Sequence, residues 1–151
     1  MSMPTAGDVM TENPVTIRDT RTVGEASRIL DQLAIRHLPV LDAEGEVVGM
    51  LSDRDLRGAL AAADEDLAPS VPHPNTRVSD VMTTDVIIAD PDDELIAIAQ
   101  LMIDARVGAV PIVDRDSHLI GIVSYIDILR AFTGVADARR ETPRPSLARH
   151  R

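Results

Sequence analysis

The apolar residues in the first half of the chain alternate between short β-prone runs and segments with helical spacing. A run at 15–17 is followed by apolar positions three or four residues apart, as on one helix face. They are Val23, Ala26, Leu30 and Leu33. Two further runs, 38–41 and 47–51, are joined by the turn-prone segment DAEGE. After Ser52, helical spacing returns with Leu56, Ala59, Leu60 and Ala63. The pattern predicts strand, helix, strand, strand, helix.

The second half of the chain repeats this pattern 72 positions later without a gap. DVMT at 8–11 matches DVMT at 80–83, and LPVLD at 38–42 matches VPIVD at 110–114. GMLSDRD at 49–55 matches GIVSYID at 121–127. The β-prone runs recur at 86–88, 110–113 and 119–123. The helix faces recur as Leu95, Ile98, Met102 and Ala105, and as Ile128, Leu129 and Phe132. Four matching blocks in one register indicate a duplicated unit.

Each unit, about 60 residues long, would be marginal alone, so the two are expected to pack together. We predict an α+β fold in which two βαββα repeats bury their sheet faces against each other about a pseudo-two-fold axis. This arrangement leaves two equivalent clefts. The predicted boundaries are a first domain at 5–63, a linker at 64–76 with three prolines, a second domain at 77–134 and a mobile Arg-rich tail at 135–151.

Composition narrows the possible partners. Tyr125 and Phe132 are the only aromatic residues, so the core must be aliphatic. The net charge of −10 disfavours nucleic acid and acidic membrane surfaces as partners of the body. All 15 basic residues other than histidine are arginines, and five lie in the last 13 positions, where a solvated tail is expected.

Several classes of site are disfavoured by residue type. Without cysteine, disulfides, thiolate catalysis and Cys-ligated zinc are excluded. The histidines are far apart and have no metal-ligand spacing, so no metal site is predicted. They are His37, His73, His118 and His150. The start lacks the features of a signal peptide and no apolar run approaches a membrane span, so a cytoplasmic protein without membrane contact is expected.

The two Gly/Ser/Asp stretches have two interpretations. Ser52 with Asp55, and Ser124 with Asp127, have the spacing of a helix capping box. The same groups could bind a ligand, because a hydroxyl at a helix N-terminus can donate to phosphate and a carboxylate can accept bonds from both ribose hydroxyls. Gly49 and Gly121 would then let the ligand approach the backbone.

The repeated blocks DVMT, IRHLPVLD with VGAVPIVD, and the two G..S..D stretches together resemble a tandem pair of cystathionine-β-synthase (CBS) domains, or Bateman module, over residues 5–134. The resemblance implies a non-catalytic regulatory module that binds AMP, ADP, ATP or S-adenosylmethionine, with Mg²⁺ as an accompanying ion of the nucleotide. It also implies a homodimer stacked as a flat disc, which signals to an effector protein that the sequence does not identify.

The resemblance also implies ligand-binding residues in each cleft. The first comprises Thr16, Ile17, Arg36, His37, Leu38, Pro39, Ser52, Arg54 and Asp55. The second comprises Ile88, Ala89, Val110, Pro111, Ser124 and Asp127. The residues on the first strand and the Pro-containing strand would form the adenine slot, or else simply build the core.

The clefts differ in basic residues. Positions 36, 37 and 54 are basic, whereas their counterparts are Gly108, Ala109 and Ile126, so phosphate is expected in the first cleft. The alternative function is a dimerisation and protein-interaction module without a nucleotide. A hydrolase using His37, Ser52 and Asp55 is disfavoured, because GMLSD lacks the spacing around a nucleophilic serine.

Overall fold

The computed structural model describes residues 3–57 and 74–134. Its elements, in chain order, are α1 (Ala6–Val9), β1 (Thr11–Glu12), β2 (Ile17–Arg18), α2 (Val23–Leu33), β3 (His37–Leu41), β4 (Val47–Ser52), a 3₁₀ helix (Val78–Asp80), α3 (Leu95–Ala105), β5 (Ala109–Val113), β6 (Leu119–Ser124) and α4 (Tyr125–Thr133). Residues 53–57 are also helical. The predicted helical residues Ala59, Leu60 and Ala63, most of the predicted linker and the tail lie outside the described residues.

The strands in the described ranges form two three-stranded sheets, ordered β2–β3–β4 and β1–β6–β5. β2 runs parallel to β3 across the α2 crossover, and β3 runs antiparallel to β4. β5 and β6 form the equivalent antiparallel pair. The four longer strands confirm the predicted runs to within one residue at each end.

The two predicted opening runs form less strand than expected. In the run at 15–17 only Ile17 joins the parallel ladder, opposite Val40. In the run at 86–88 no residue lies in a ladder, and the next residue, Ala89, makes an isolated parallel bridge to Ile112. Both runs reach a sheet only at their last residue or just after it, and Val86 and Ile87 of the second run line a cavity described below.

Each repeat contributes its opening segment to the sheet of the other repeat. Thr11 of β1 pairs with Ile122 of β6. Thr83, 72 positions later, makes the corresponding bridge to Met50 of β4, with N–H···O bonds of 2.9 Å in both directions. The repeats are therefore joined by reciprocal backbone pairing.

The same exchange satisfies the first backbone N–H groups of two helices. The Leu95 N–H at the start of α3 donates to the Pro4 carbonyl at 2.9 Å, and the Val23 N–H at the start of α2 donates to the Thr76 carbonyl at 2.7 Å. Such N–H groups have no partner within their own helix. Each helix therefore begins against the chain of the opposite repeat.

Buried side chains form two clusters, one on the helix side of each sheet. The first includes Leu38, Val40 and Leu51, together with Val78 from the second repeat. The second includes Val110, Ile112 and Val123, together with Ala6 from the first repeat. Each cluster is completed by one residue from the exchanged segment.

The other face of each sheet is covered as well. Pro39 lies between Leu38 and Val40 in β3, so its side chain points away from the helix-side cluster. Pro39 and its counterpart Pro111 are both fully buried. Their burial supports the predicted packing of one sheet face against the other.

The predicted capping box of α2 is confirmed. The Glu25 N–H donates to the Thr22 hydroxyl at 3.2 Å, and the Thr22 N–H donates to the Glu25 carboxylate at 3.1 Å. At its other end α2 stops at Ala34, which is left-handed with φ 54°. Leu33, the last residue of the predicted apolar face, is 51% exposed because the helix ends there. No helix in the described ranges is both long and apolar enough to span a bilayer.

Gly49 and Gly121 have a packing role that corrects the expectation of ligand approach. A Cβ at Gly49 would collide with the sulfur of Met82, and one at Gly121 would collide with the sulfur of Met10. These methionines belong to the two exchanged DVMT segments. The missing side chains therefore make room for the other repeat.

We expect Gly49→Ala to lower the free energy of unfolding by about 1–3 kcal/mol, the usual effect of overpacking. Urea unfolding measures the change. In a Met82→Ala background the same substitution should be less destabilising, because the colliding sulfur is gone. Equal losses in both backgrounds would contradict this explanation.

Candidate functional site

A cavity of about 220 Å³ lies where the two repeats meet. Its first-repeat wall includes Arg36, His37, Ser52, Arg54 and Asp55. Its second-repeat wall includes Thr83, Val86, Ile87, Arg106, Gly108, Ala109 and Tyr125. Positions 36 and 37 are the repeat counterparts of 108 and 109, so the cavity lies beside the pseudo-two-fold axis.

Ser52 and Asp55 form a capping box in this cavity wall. The Asp55 N–H donates to the Ser52 hydroxyl at 3.0 Å, and the Ser52 N–H donates to the Asp55 carboxylate at 2.9 Å. In the second repeat the Asp127 N–H donates to the Ser124 hydroxyl at 3.3 Å, and the Ser124 N–H donates to the Asp127 carboxylate at 2.8 Å. The capping interpretation is therefore confirmed in both repeats.

Asp55 has an additional partner from the other repeat. The Thr83 hydroxyl lies 3.3 Å from one Asp55 carboxylate oxygen and 3.4 Å from the other. Two such long contacts from one hydroxyl are weaker than a single short bond. Asp127 instead lies 4.0 Å from the guanidinium of Arg130 on its own helix. Thus the two capping carboxylates have different surroundings.

Arginine side chains surround the cavity. Arg57 is paired with Asp53 at 3.0 Å. Arg36, Arg54 and Arg106 have no carboxylate within salt-bridge distance in the described part of the chain. Asp55 and Asp85 also line the cavity, so these three guanidinium groups leave a net formal charge of +1 there, in an otherwise acidic protein.

His37 is half-buried and fills space left by Gly108. Its Nε2 lies 3.0 Å from the position that a Cβ on Gly108 would take. Burial lowers the pKa of the His37 imidazole from its ordinary value of 6.5. Asp55 opposes this shift, and Arg36 and Arg54 add to it. Neutral imidazole is therefore favoured in the folded protein.

Comparison with known proteins gives the family. The model of the CBS domain matches twice, over residues 6–62 and 78–134. These two matches cover most of the chain. The chain belongs to the CBS-domain family.

The CBS pair also occurs inside longer proteins. Inosine-5′-monophosphate dehydrogenase of Methanocaldococcus jannaschii is 34% identical over 125 residues. That alignment covers 83% of this chain and 23% of the enzyme. The chain thus spans about a quarter of the length of this curated relative.

Two solved structures share the fold along most of both chains. The CBS domain pair of protein MJ0100, in complex with 5′-methylthioadenosine and S-adenosyl-L-methionine, gives a TM-score of 0.76 at 29% identity, covering 89% of this chain and 99% of that one. CBSX2 in complex with AMP gives 0.73 at 28% identity, covering 87% and 98%. The predicted α+β fold of paired CBS repeats is confirmed.

The structure brings together five of the nine residues predicted for the first cleft: Arg36, His37, Ser52, Arg54 and Asp55 line the cavity. Thr16 and Ile17 instead line a separate hollow with Arg18, Arg21, Glu25 and Ile29. Leu38 and Pro39 are buried within β3. The predicted first cleft is therefore divided between a cavity, a separate hollow and the core.

The residues predicted for the second cleft lie outside the cavity. Ile88 is 48% exposed, whereas Ala89, Val110 and Pro111 are buried. Ser124 and Asp127 are partly buried at the start of α4. For Val110 the core role is observed, since it belongs to the helix-side cluster.

Sequence reasoning missed the residues that cross from one CBS domain to the other. Thr83, Val86 and Ile87 belong to the second repeat but lie beside Ser52 and Asp55 of the first. The physical reason is the exchange of the opening segments, which brings Thr83 to the capping box of the first repeat. The 72-residue offset aligns the repeats but carries no sign of this exchange.

Asp114, Asp116 and His118 form the one group in the described ranges whose side chains could together hold a metal ion. The Asp114 carboxylate already accepts backbone N–H bonds from Asp116 and His118, each 2.9 Å long, in the turn between β5 and β6. The bond from His118 is the main cause of the lowered pKa of Asp114. Asp42 makes the same two backbone bonds in the first repeat, which indicates a structural turn.

The lowered pKa of His37 predicts a pH-dependent stability. Above the unfolded value of 6.5 both states hold neutral imidazole, and the stability is complete. As the pH falls below 6.5, the unfolded chain takes up the proton first, so the free energy of unfolding decreases. Urea unfolding near pH 8 and near pH 5.5 measures this loss. His37→Gln should make the loss smaller, whereas an unchanged loss would contradict the assignment to His37.

Proposed function

We propose that this CBS pair is a regulatory module that binds an adenosine ligand in the cavity between its repeats. The observation that carries the proposal is the convergence of the Ser52–Asp55 capping box with three arginines that lack ion pairs in the described ranges. The similar structures in complex with AMP and with S-adenosyl-L-methionine support it. A change in the cavity would then be transmitted to an effector protein.

Asp55 is the proposed acceptor for the ribose hydroxyls. One carboxylate oxygen accepts the short bond from the Ser52 N–H, and the other oxygen has the long contact to Thr83 as its only hydrogen bond in the described ranges. Ribose hydroxyls can replace the Thr83 contact with shorter bonds to the charged acceptor. The helix cap can remain in place while the ligand binds.

Phosphate is assigned to the basic side of the cavity. Arg36 and Arg54 have no carboxylate partner among the described residues. A guanidinium can donate two parallel bonds to a phosphate. Phosphorylated adenosine ligands should therefore bind this cavity more tightly than adenosine does.

An apolar part of the wall is the proposed seat of adenine. It consists of Val86, Ile87, Val107 and Ala109. All four belong to the second repeat, so base and ribose would be held by different repeats. Adenine binding by Thr16 and Ile17, which line the separate hollow, stays a prediction.

A role without catalysis agrees with the position of Ser52. Its hydroxyl accepts the Asp55 N–H as a helix cap, and no hydrogen bond joins it to His37 in the described part of the chain. Among the described residues Ser52 thus has the contacts of a helix cap rather than those of an activated nucleophile.

A panel of AMP, ADP, ATP, S-adenosyl-L-methionine and adenosine tests the proposal by thermal shift and calorimetry. A ligand at a hundred times its dissociation constant stabilises by about 2.7 kcal/mol, which should raise the melting temperature by roughly 5–10 °C. Asp55→Ala should weaken AMP binding by about 1–3 kcal/mol.

Asp127→Ala is the matched control, because it removes the same capping contact from the other repeat. It should destabilise the fold to a similar degree and leave AMP affinity nearly unchanged. If Asp127→Ala abolishes binding while Asp55→Ala and Arg54→Ala do not, the ligand occupies the other cleft. No stabilisation by any ligand at millimolar concentration would favour the interaction-module alternative.

We further propose that the chain forms a homodimer through α3 and α4. These helices contact each other and carry exposed apolar side chains, with Ile103 69%, Leu129 55% and Phe132 54% exposed. The counterpart of Ile103 in the first repeat is Asp31. Leu56 and Ile128, at equivalent positions of the two repeats, are buried within the protein and do not contribute to this interface.

Light scattering at tens of micromolar should give the mass of a dimer. Phe132→Asp should shift the protein towards the monomer without unfolding it, because the side chain is mostly exposed and a buried charge in the interface opposes association. Arg115→Ala, in the exposed turn between β5 and β6, lowers the net charge by the same one unit and is the control for charge. A monomeric mass for the unmodified protein would overturn the proposed dimer.

A further inference from the structure

Two equivalent turns approach the cavity, one from each repeat. In the first repeat, Ala34 ends α2 and the chain continues through Arg36 into β3. In the second, Arg106 ends α3 and the chain continues through Gly108 into β5. Both terminal residues have the left-handed conformation, with φ 54° and ψ 42° at Ala34 and φ 59° and ψ 42° at Arg106. The turns therefore have the same backbone but different side chains.

Arg106 lines the same cavity as Arg36, Arg54 and Asp55 of the first repeat. The side chain makes no ion pair or hydrogen bond with any other residue of the described ranges. Nearby Asp55 accepts bonds from Ser52 and Thr83. Arg106 is thus the third arginine of the cavity without an ion-pair partner in the described ranges. From its position in the sequence alone, it would have been assigned to the second cleft.

The charges of the cavity favour an anion at this point. Among the described residues, four arginines and three aspartates line the cavity, so its formal charge is +1. The three arginines without an ion pair repel one another, and an added negative group between them is favoured. Because residue 108 is glycine, no side chain projects from this part of the cavity wall. The side-chain atoms nearest to the position of a Cβ at 108 belong to His37 and Tyr125. A phosphate placed among Arg36, Arg54 and Arg106 would relieve the repulsion.

We infer that Arg106 of the second repeat binds the phosphate of a nucleotide whose ribose is held by Asp55 of the first repeat. The inference rests on the proposed function and assigns to it a residue from the opposite repeat. The phosphate then connects the two helix-to-strand turns. Occupancy of the cavity would depend on the relative position of the repeats, and would in turn fix that position.

Arg106→Ala tests the inference. Alanine can adopt the left-handed conformation that position 106 requires, because Ala34 has it at the equivalent position of the first repeat. Calorimetry with AMP should show affinity reduced by about 10- to 100-fold, the range for loss of a hydrogen bond to a charged group. Adenosine, which lacks phosphate, should bind within about twofold of the unmodified protein. Arg106→Lys should recover part of the AMP affinity, because a charge without the bidentate geometry remains.

Arg115→Ala is the matched control. It removes one positive charge from an exposed turn of the same repeat, away from the cavity. We expect Arg115→Ala to change AMP affinity only slightly, and this change measures the contribution of net charge alone. Melting temperatures of both variants show that the fold is retained.

The possible outcomes separate this inference from the proposed function. If the unmodified protein binds AMP and Arg106→Ala binds it equally well, or loses no more than Arg115→Ala, the role of Arg106 is wrong while the proposed function stands. Equal loss of AMP and adenosine would show a structural effect on the cavity and would also overturn the inference. If the unmodified protein binds neither ligand, the proposed function itself fails.

Discussion

The exchange of the two opening segments is the constraint on which the rest of the molecule depends. Met82 packs on Gly49 and Met10 packs on Gly121, while Thr83 and Thr11 extend the sheets of the opposite repeat. Neither sheet keeps its edge pairing and neither helix-side cluster is complete without the other repeat. Because a unit of about 60 residues buries little surface on its own, this reciprocal completion accounts for the stability of the pair as one folding unit.

The exchange also places the functional groups. It carries Thr83, Val86 and Ile87 to the capping box of the first repeat, so the cavity has a polar wall from one repeat and an apolar wall from the other. The same geometry places Arg106 in the wall of the cavity that Arg36 also lines. Binding in such a cavity is a property of the pair, and a ligand there contacts groups that are far apart in sequence.

The sequence predicted the fold well because its signals were local or periodic. The apolar spacing identified α2 through Val23, Ala26 and Leu30, and the 72-residue offset identified the second repeat. Ser52 and Asp55 could be found from their capping spacing. The residues that contact Ser52 and Asp55 from the other repeat could not be found from the sequence. A segment that pairs with the opposite repeat has the same local pattern as one that pairs within its own repeat. Thr16 and Ile17 were grouped with Asp55 through the family resemblance, and the structure separates them.

Tyr125 gives the cavity a spectroscopic property of its own. It is the only tyrosine in a chain without tryptophan, and it lies in the cavity wall with its ring near Gly108. Near-ultraviolet absorption and intrinsic emission therefore arise almost entirely from one ring at the junction of the repeats. In most proteins such a signal averages over several environments, whereas here it reports the polarity and packing of a single position. The chain therefore contains a natural optical probe of the contact between its two halves.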